Sequence, residues 1–152
     1  MNERARATFT DAAGDSWRVF VTIGKIKAVR QLVNDDTGKS VDLFEYVNDN
    51  LAYRLYIDPV LLADVLWVLC KDEAEGRKLD KSAFLDRMNG DTLEVAELAF
   101  EEAFIDFFPK SQRGQVELIA QTAREFRKTL RKTQQEAVQN EIRKQTPESS
   151  GS

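Results

Sequence analysis

Asp58-Pro59-Val60-Leu61-Leu62-Ala63-Asp64-Val65-Leu66-Trp67-Val68-Leu69-Cys70 is the stretch that decides the fold. The Asp58 carboxylate is placed to accept from the unpaired N–H groups of a first helical turn. Pro59 follows at the one helical position where a missing N–H costs nothing. The segment behind them is apolar almost all round, which predicts a central, buried helix running to about Cys70 or Asp72. It is about 12 residues long, well short of the roughly 20 needed to cross a bilayer. Asp64 interrupts it and reads as a narrow outward edge, with a buried carboxyl of raised pKa as the alternative. Cys70 reads as a buried core thiol.

Upstream, period-2 alternation predicts two strands, over residues 8–11 and 17–23. Trp17, Val19, Val21 and Ile23 share one face, and Ala12-Ala13-Gly14-Asp15 forms the turn. A β-hairpin with the Trp17 face inward follows. The period then becomes helical through Ile26, Val29 and Val33, beside Leu32. The polar run 34–39 ends that helix, and a short helix is expected over 42–51. Downstream, residues 71–78 form a charged connection. Asp80 or Ser82 opens a helix carrying Phe84, Leu85 and Met88, closed by Asn89-Gly90. Asp91 and Glu94 then form a capping-box pattern for a helix with Leu93, Ala96, Phe100, Phe104 and Phe107/Phe108 on its apolar side, ended by Pro109. Ser111 is positioned to cap a last helix over 112–144. Its first half is amphipathic through Val116, Ile119, Ala123, Phe126 and Leu130. Its second half is thin in apolar residues, with Ala137, Val138 and Ile142. The expected class is α+β and mainly helical: an N-terminal β-hairpin packed on a bundle of four or five helices, with a long C-terminal helix. Residues 1–109 form an acidic core domain, 110–145 a long basic amphipathic helix, and 146–152 a disordered tail.

Composition narrows the chemistry. The 152 residues contain no histidine and one cysteine. No imidazole base, Ser-His or Cys-His nucleophile, or Cys/His zinc site can be assembled from one such chain, and no internal disulfide can form. Catalysis and cofactor binding are therefore not expected, and a reducing cytoplasm suits the lone thiol. The charged start, Met1-Asn2-Glu3-Arg4-Ala5-Arg6, lacks the apolar run of a secretory signal. The formal charge of −4 is uneven. Residues 1–109 hold 13 Lys/Arg against 21 Asp/Glu, and residues 110–152 hold 9 against 5, which sets an acidic body beside a basic tail.

Several candidate sites dissolve on inspection. Glu101, Glu102 and Asp106 could pair for metal or proton chemistry, yet they fall opposite the Phe100/Phe104 stripe, where a solvated face is expected. The acidic turns at Asp35-Asp36 and Asp86 lack the calcium-loop spacing. No phosphate-cradling glycine motif is present. What remains is Arg124-Glu125-Phe126-Arg127-Lys128-Thr129-Leu130-Arg131-Lys132. Phe126 and Leu130 are apolar anchors for a partner, and Arg127, Lys128, Arg131 and Lys132 are its charged rim. Contact with a nucleic-acid backbone is the alternative use of these cations, opposed by the acidic body. An enzyme working through Asp and Glu with magnesium is a third reading.

The order of hydrophobic blocks resembles the small tail assembly chaperones of long-tailed bacteriophages and prophages. The blocks are Thr8-Phe9-Thr10-Asp11 with Trp17-Arg18-Val19 and Thr22-Ile23-Gly24, Val41-Asp42-Leu43, the 58–70 segment, 84–89, and 99–109 ending in Asp106-Phe107-Phe108-Pro109. The likeness spans residues 8–109. It implies a non-enzymatic protein of the bacterial host cytoplasm that binds the long tape-measure protein, keeps it soluble and helps tail-tube subunits assemble around it. It implies no catalytic residues, no cofactor, no membrane and no nucleic-acid partner, and it leaves oligomerisation open.

Overall fold

Nine short blocks of sequence become two strands and seven helices in the computed structural model, which describes residues 7–48 and 50–145. The tail expected over 146–152 lies outside the described residues. The architecture is α+β and mainly helical, with a two-stranded antiparallel hairpin at the N-terminal side and a long helix at the C-terminal side.

The hairpin pairs β1 (Thr8–Thr10) with β2 (Ser16–Arg18), with Phe9 opposite Trp17. Both rings are buried. Gly14 turns the chain with φ 89°, a conformation favourable to glycine. The Asp11 carboxylate fastens the turn: it accepts from the backbone N–H groups of Ala13 (2.9 Å) and Asp15 (3.0 Å) and from the Trp17 indole N–H (2.7 Å). β2 stops earlier than its alternation suggests. Val19 and Val21 stay buried, but Thr22 caps α1 (Ile23–Leu32) by accepting from Lys25 N–H at 3.2 Å. Ile23 thus becomes the first helical residue and is exposed rather than inward-facing.

The helix expected over 42–51 is shortened to α2 (Glu45–Asn48), and after Asn50 at φ 61° a further helix, α3 (Leu51–Ile57), follows that was not expected. Left-handed backbone of this kind is one that asparagine tolerates. Before it, Asp35 closes the 34–40 turn by accepting from Thr37 and Lys39 N–H at 2.9 Å each and pairs with Arg54 at 3.3 Å. That carboxylate is committed to local structure.

α4 (Pro59–Gly76) is the central helix. Asp58 Oδ1 accepts from Leu61 N–H at 3.1 Å, as the cap requires. Leu61, Leu62, Val65, Leu66, Val68, Leu69 and Cys70 are buried, and the helix continues about one turn beyond the expected end to bury Ala74. Asp64 is the outward edge: its side chain is 29% exposed and 3.4 Å from Lys81 Nζ. α4 packs against α1, α3, β2, the short α5 (Lys81–Leu85) and α6 (Gly90–Phe107). Burial pushes the Cys70 thiol up to about 12, which keeps it protonated and inert.

Asn89 opens α6 rather than closing α5. Its Oδ1 accepts from Thr92 N–H at 2.9 Å, so the cap is Asn89 and not Asp91. Phe100 and Phe104 are fully buried and stack with centroids 5.9 Å apart. Burial of such rings is worth roughly 2–3 kcal/mol each. α7 (Lys110–Gln145) begins two residues before the expected start. The Pro109 carbonyl accepts from Gln112 N–H at 2.8 Å, and Arg113 Nε donates to Phe108 O at 2.9 Å. α7 packs on α2, α3 and α6 through Val116, Ala120 and Arg127, whereas residues 131–145 are all exposed. Among the described residues no helix is long and apolar enough to cross a membrane.

Candidate protein-binding surface at the root of helix α7

α7 is fastened to the body by an ionic cluster as well as by apolar contact. Arg127 Nη1 donates to Glu97 Oε2 at 2.8 Å, and its Nη2 donates to Glu101 Oε1. Tyr46 of α2 donates its hydroxyl to the same Glu101 oxygen at 2.6 Å, and Arg124 reaches Glu101 Oε2 at 3.3 Å. Glu97, Glu101 and Arg127 are buried. Burial, helped by the neighbouring Glu101 charge, pushes Glu97 up to about 7 against the pull of Arg127. Burial and the adjacent Glu101 carboxylate likewise hold the Tyr46 phenol far above its usual range. Among the described residues no buried side-chain nitrogen or oxygen lacks a hydrogen-bond partner, which is the condition for such a cluster to be tolerated.

This cluster overturns two expectations. Glu101 is not on a solvated face, because α7 lies across it and supplies two guanidinium groups. Arg127 is not rim, because its side chain is 9% exposed and spent on α6. Glu102 and Asp106 do face solvent as expected.

Beside the cluster, α3 and α7 enclose an open groove of about 610 Å³. Ala52 and Tyr53 line one side, and Leu118, Ile119, Thr122 and Phe126 line the other. Leu118 is 63% exposed and Phe126 52%, although Phe126 meets the Tyr53 ring edge-on at 5.9 Å. Phe126 is thus a part-exposed aromatic side chain in the groove wall. Leu130 is half-buried. Lys128, Arg131 and Lys132 are exposed, with Lys128 3.6 Å from Glu125.

Tyr53, Leu118 and Glu97 were not singled out in the sequence, and Glu101 was singled out only to be assigned to a solvated face. The signal for the pair of acids was their one-turn spacing on a helix whose adjacent residues, Ala96 and Phe100, are apolar. Among the described residues no group of three or more His, Cys, Asp or Glu side chains is arranged to hold a metal ion. The surface offers apolar area, hydrogen-bonding edges and a basic margin.

No protein-family model matches the chain, and no curated protein or solved structure matches it.

Proposed function

We propose that this is a non-enzymatic, protein-binding chaperone or scaffold of phage tail assembly, which binds and solubilises a tape-measure-like helical protein in the bacterial host cytoplasm. The observation that carries the reading is the form of α7. Its inner half is pinned to the body, its outer fifteen residues, 131–145, are wholly exposed, and an apolar groove opens at its root. A long helical chain with apolar stripes aggregates unless those stripes are covered. A groove beside a projecting helix covers them by the helix-in-groove mode.

The nucleic-acid reading loses part of its support. Arg124 and Arg127, two of the cations it would use, are neutralised by Glu97 and Glu101. The body they are pinned to is acidic.

The test is co-expression with a long helical protein encoded beside it. The reading expects co-purification and a larger soluble fraction of that neighbour. Neither effect, or a gene setting among metabolic enzymes, defeats it.

A further inference from the structure

The chain that continues β2 outruns its partner strand. Val19 N–H donates to Ala7 O at 2.8 Å, and Phe9 faces Trp17, so every second residue exchanges hydrogen bonds across the hairpin. Val21 is next in that alternation. The register that sets Thr8 opposite Arg18, carried back along the chain, sets residue 5 opposite Val21. Residue 5 lies outside the described residues. Val21 is 8% exposed, yet among the described residues neither its N–H nor its C=O has a hydrogen bond. Buried backbone groups are almost always paired. A cleft of about 410 Å³ opens at this place. Residues 19–23 form one wall, Ala7 closes one end, and Glu102, Asp106 and Phe107 form the other wall. α6 carries no Lys or Arg. Asp106 lies 3.5 Å from Arg113, and among the described residues Glu102 has no ion pair. Arg18 is turned onto the Phe20 ring, 4.7 Å from its centroid.

We propose that Glu3-Arg4-Ala5-Arg6 prolongs β1 through this cleft, as a strap between residues 20–23 and α6. Ala5 N–H donates to Val21 O, and Ala5 O accepts from Val21 N–H. The Ala5 methyl falls on the inward side with Ala7 and Phe9, both buried. Arg4 and Arg6 fall on the other side. β1 runs antiparallel to α6: Ala12 donates to Arg87 O just before that helix at 3.1 Å, and Ala7 lies beside the later Glu102. From Arg6 back to Arg4 a strand advances ~6.6 Å, and from Glu102 to Asp106 a helix advances ~6 Å. The two guanidinium groups thus keep pace with the two carboxylates. Arg6 pairs with Glu102, and Arg4 shares Asp106 with Arg113. The cleft is a seat for the chain's own residues, and this inference is independent of the chaperone reading.

Hydrogen exchange of the full-length parent protein, resolved by NMR, tests the strap. Val21 and Ala5 amides exchange at least about tenfold more slowly than those of Arg4 and Arg6, whose N–H groups point away from Val21 and its neighbours. Fast exchange at Val21 or Ala5, or equal exchange at residues 4, 5 and 6, overturns the proposal. Protection of Val21 that grows with protein concentration gives the cleft to a second copy and overturns it too. The charge pairing is tested at low salt, where surface pairs are least screened, with Arg6→Glu, Glu102→Arg and the double variant. Each single change lowers the urea midpoint, and the double variant restores most of the loss. Single variants without effect, or a double variant that shows the sum of their losses, contradict the strap.

Discussion

Arg127 on α7 and Glu97 on α6 are thirty residues apart in the chain and meet at 2.8 Å in the interior. Their contact, shared with Glu101 and Tyr46, decides how rigidly the projecting helix is mounted. An apolar seam alone would let α7 slide or roll. A buried, geometrically demanding ion pair fixes its register.

Truncating Arg127 leaves the buried Glu97 without its paired cation and Glu101 with Arg124 alone. Arg127→Ala is therefore expected to destabilise the fold by about 3–5 kcal/mol, read as a lower urea midpoint. Arg127→Lys recovers only part, because an ammonium cannot serve Glu97 and Glu101 in fork geometry. An unchanged midpoint in the alanine variant would show that the cluster does not hold α7.

Glu97 gives the stability a pH dependence of definite sign. Its folded value is raised from 4.5 to about 7, so between these values the folded state holds a proton that the unfolded chain has released. This contribution is complete below about pH 4.5 and is lost as pH rises through 7. Glu97→Gln should flatten that slope in denaturation curves taken across the range. A slope identical in the variant would assign the effect elsewhere.

Asp11 works in the opposite direction. Burial by itself would raise its pKa. The Trp17 indole, the Asp15 and Ala13 backbone N–H groups and the Arg87 guanidinium outweigh burial and hold it below the ordinary 3.8. Its stabilisation is present above about pH 3.8 and is lost as pH falls through the depressed value. Asp11→Ala is expected to cost about 1–3 kcal/mol at neutral pH, since the buried indole N–H loses its acceptor. Trp17 emission should shift with it. A variant as stable as the parent, with unchanged fluorescence, would contradict this.

The start of α6 separates two neighbouring residues cleanly. Asn89→Ala removes the side-chain cap and should cost about 1 kcal/mol, whereas Asp91→Ala, at an exposed first-turn position, should cost a few tenths. Equal losses would return the cap to Asp91.

Features written locally in the chain were legible there. The Asp58-Pro59 start, the Trp17/Val19/Val21 alternation and the Phe100/Phe104 stripe each declare themselves within a few residues, and each is found in place. Features that depend on distant partners were not. Glu101 has the helical phase of a half-exposed residue, and only the docking of α7, whose Arg124 and Arg127 are 23 and 26 residues away, turns it inward. The same event converts Arg127 from rim to core. The early end of the helix expected over 42–51 and the separate start of α3 turn on one left-handed residue, Asn50, which composition does not distinguish from any other asparagine. The exchange of Asn89 for Asp91 at the α6 cap is a shift of two residues between equally good capping side chains. For the candidate surface, Phe126, Lys128 and Lys132 were readable from amphipathicity. The opposite wall, Tyr53 on α3, was not, because α3 itself went unread.

The account stands or falls on whether another polypeptide settles onto α7. The direct measurement is the soluble yield of a long helical neighbour protein co-expressed with this chain, compared with a Phe126→Asp/Lys132→Glu variant that keeps the parent melting temperature. The expected result is a soluble complex with the parent protein and an aggregated neighbour with the variant. A neighbour equally soluble with the parent, with the variant and with neither would contradict the claim.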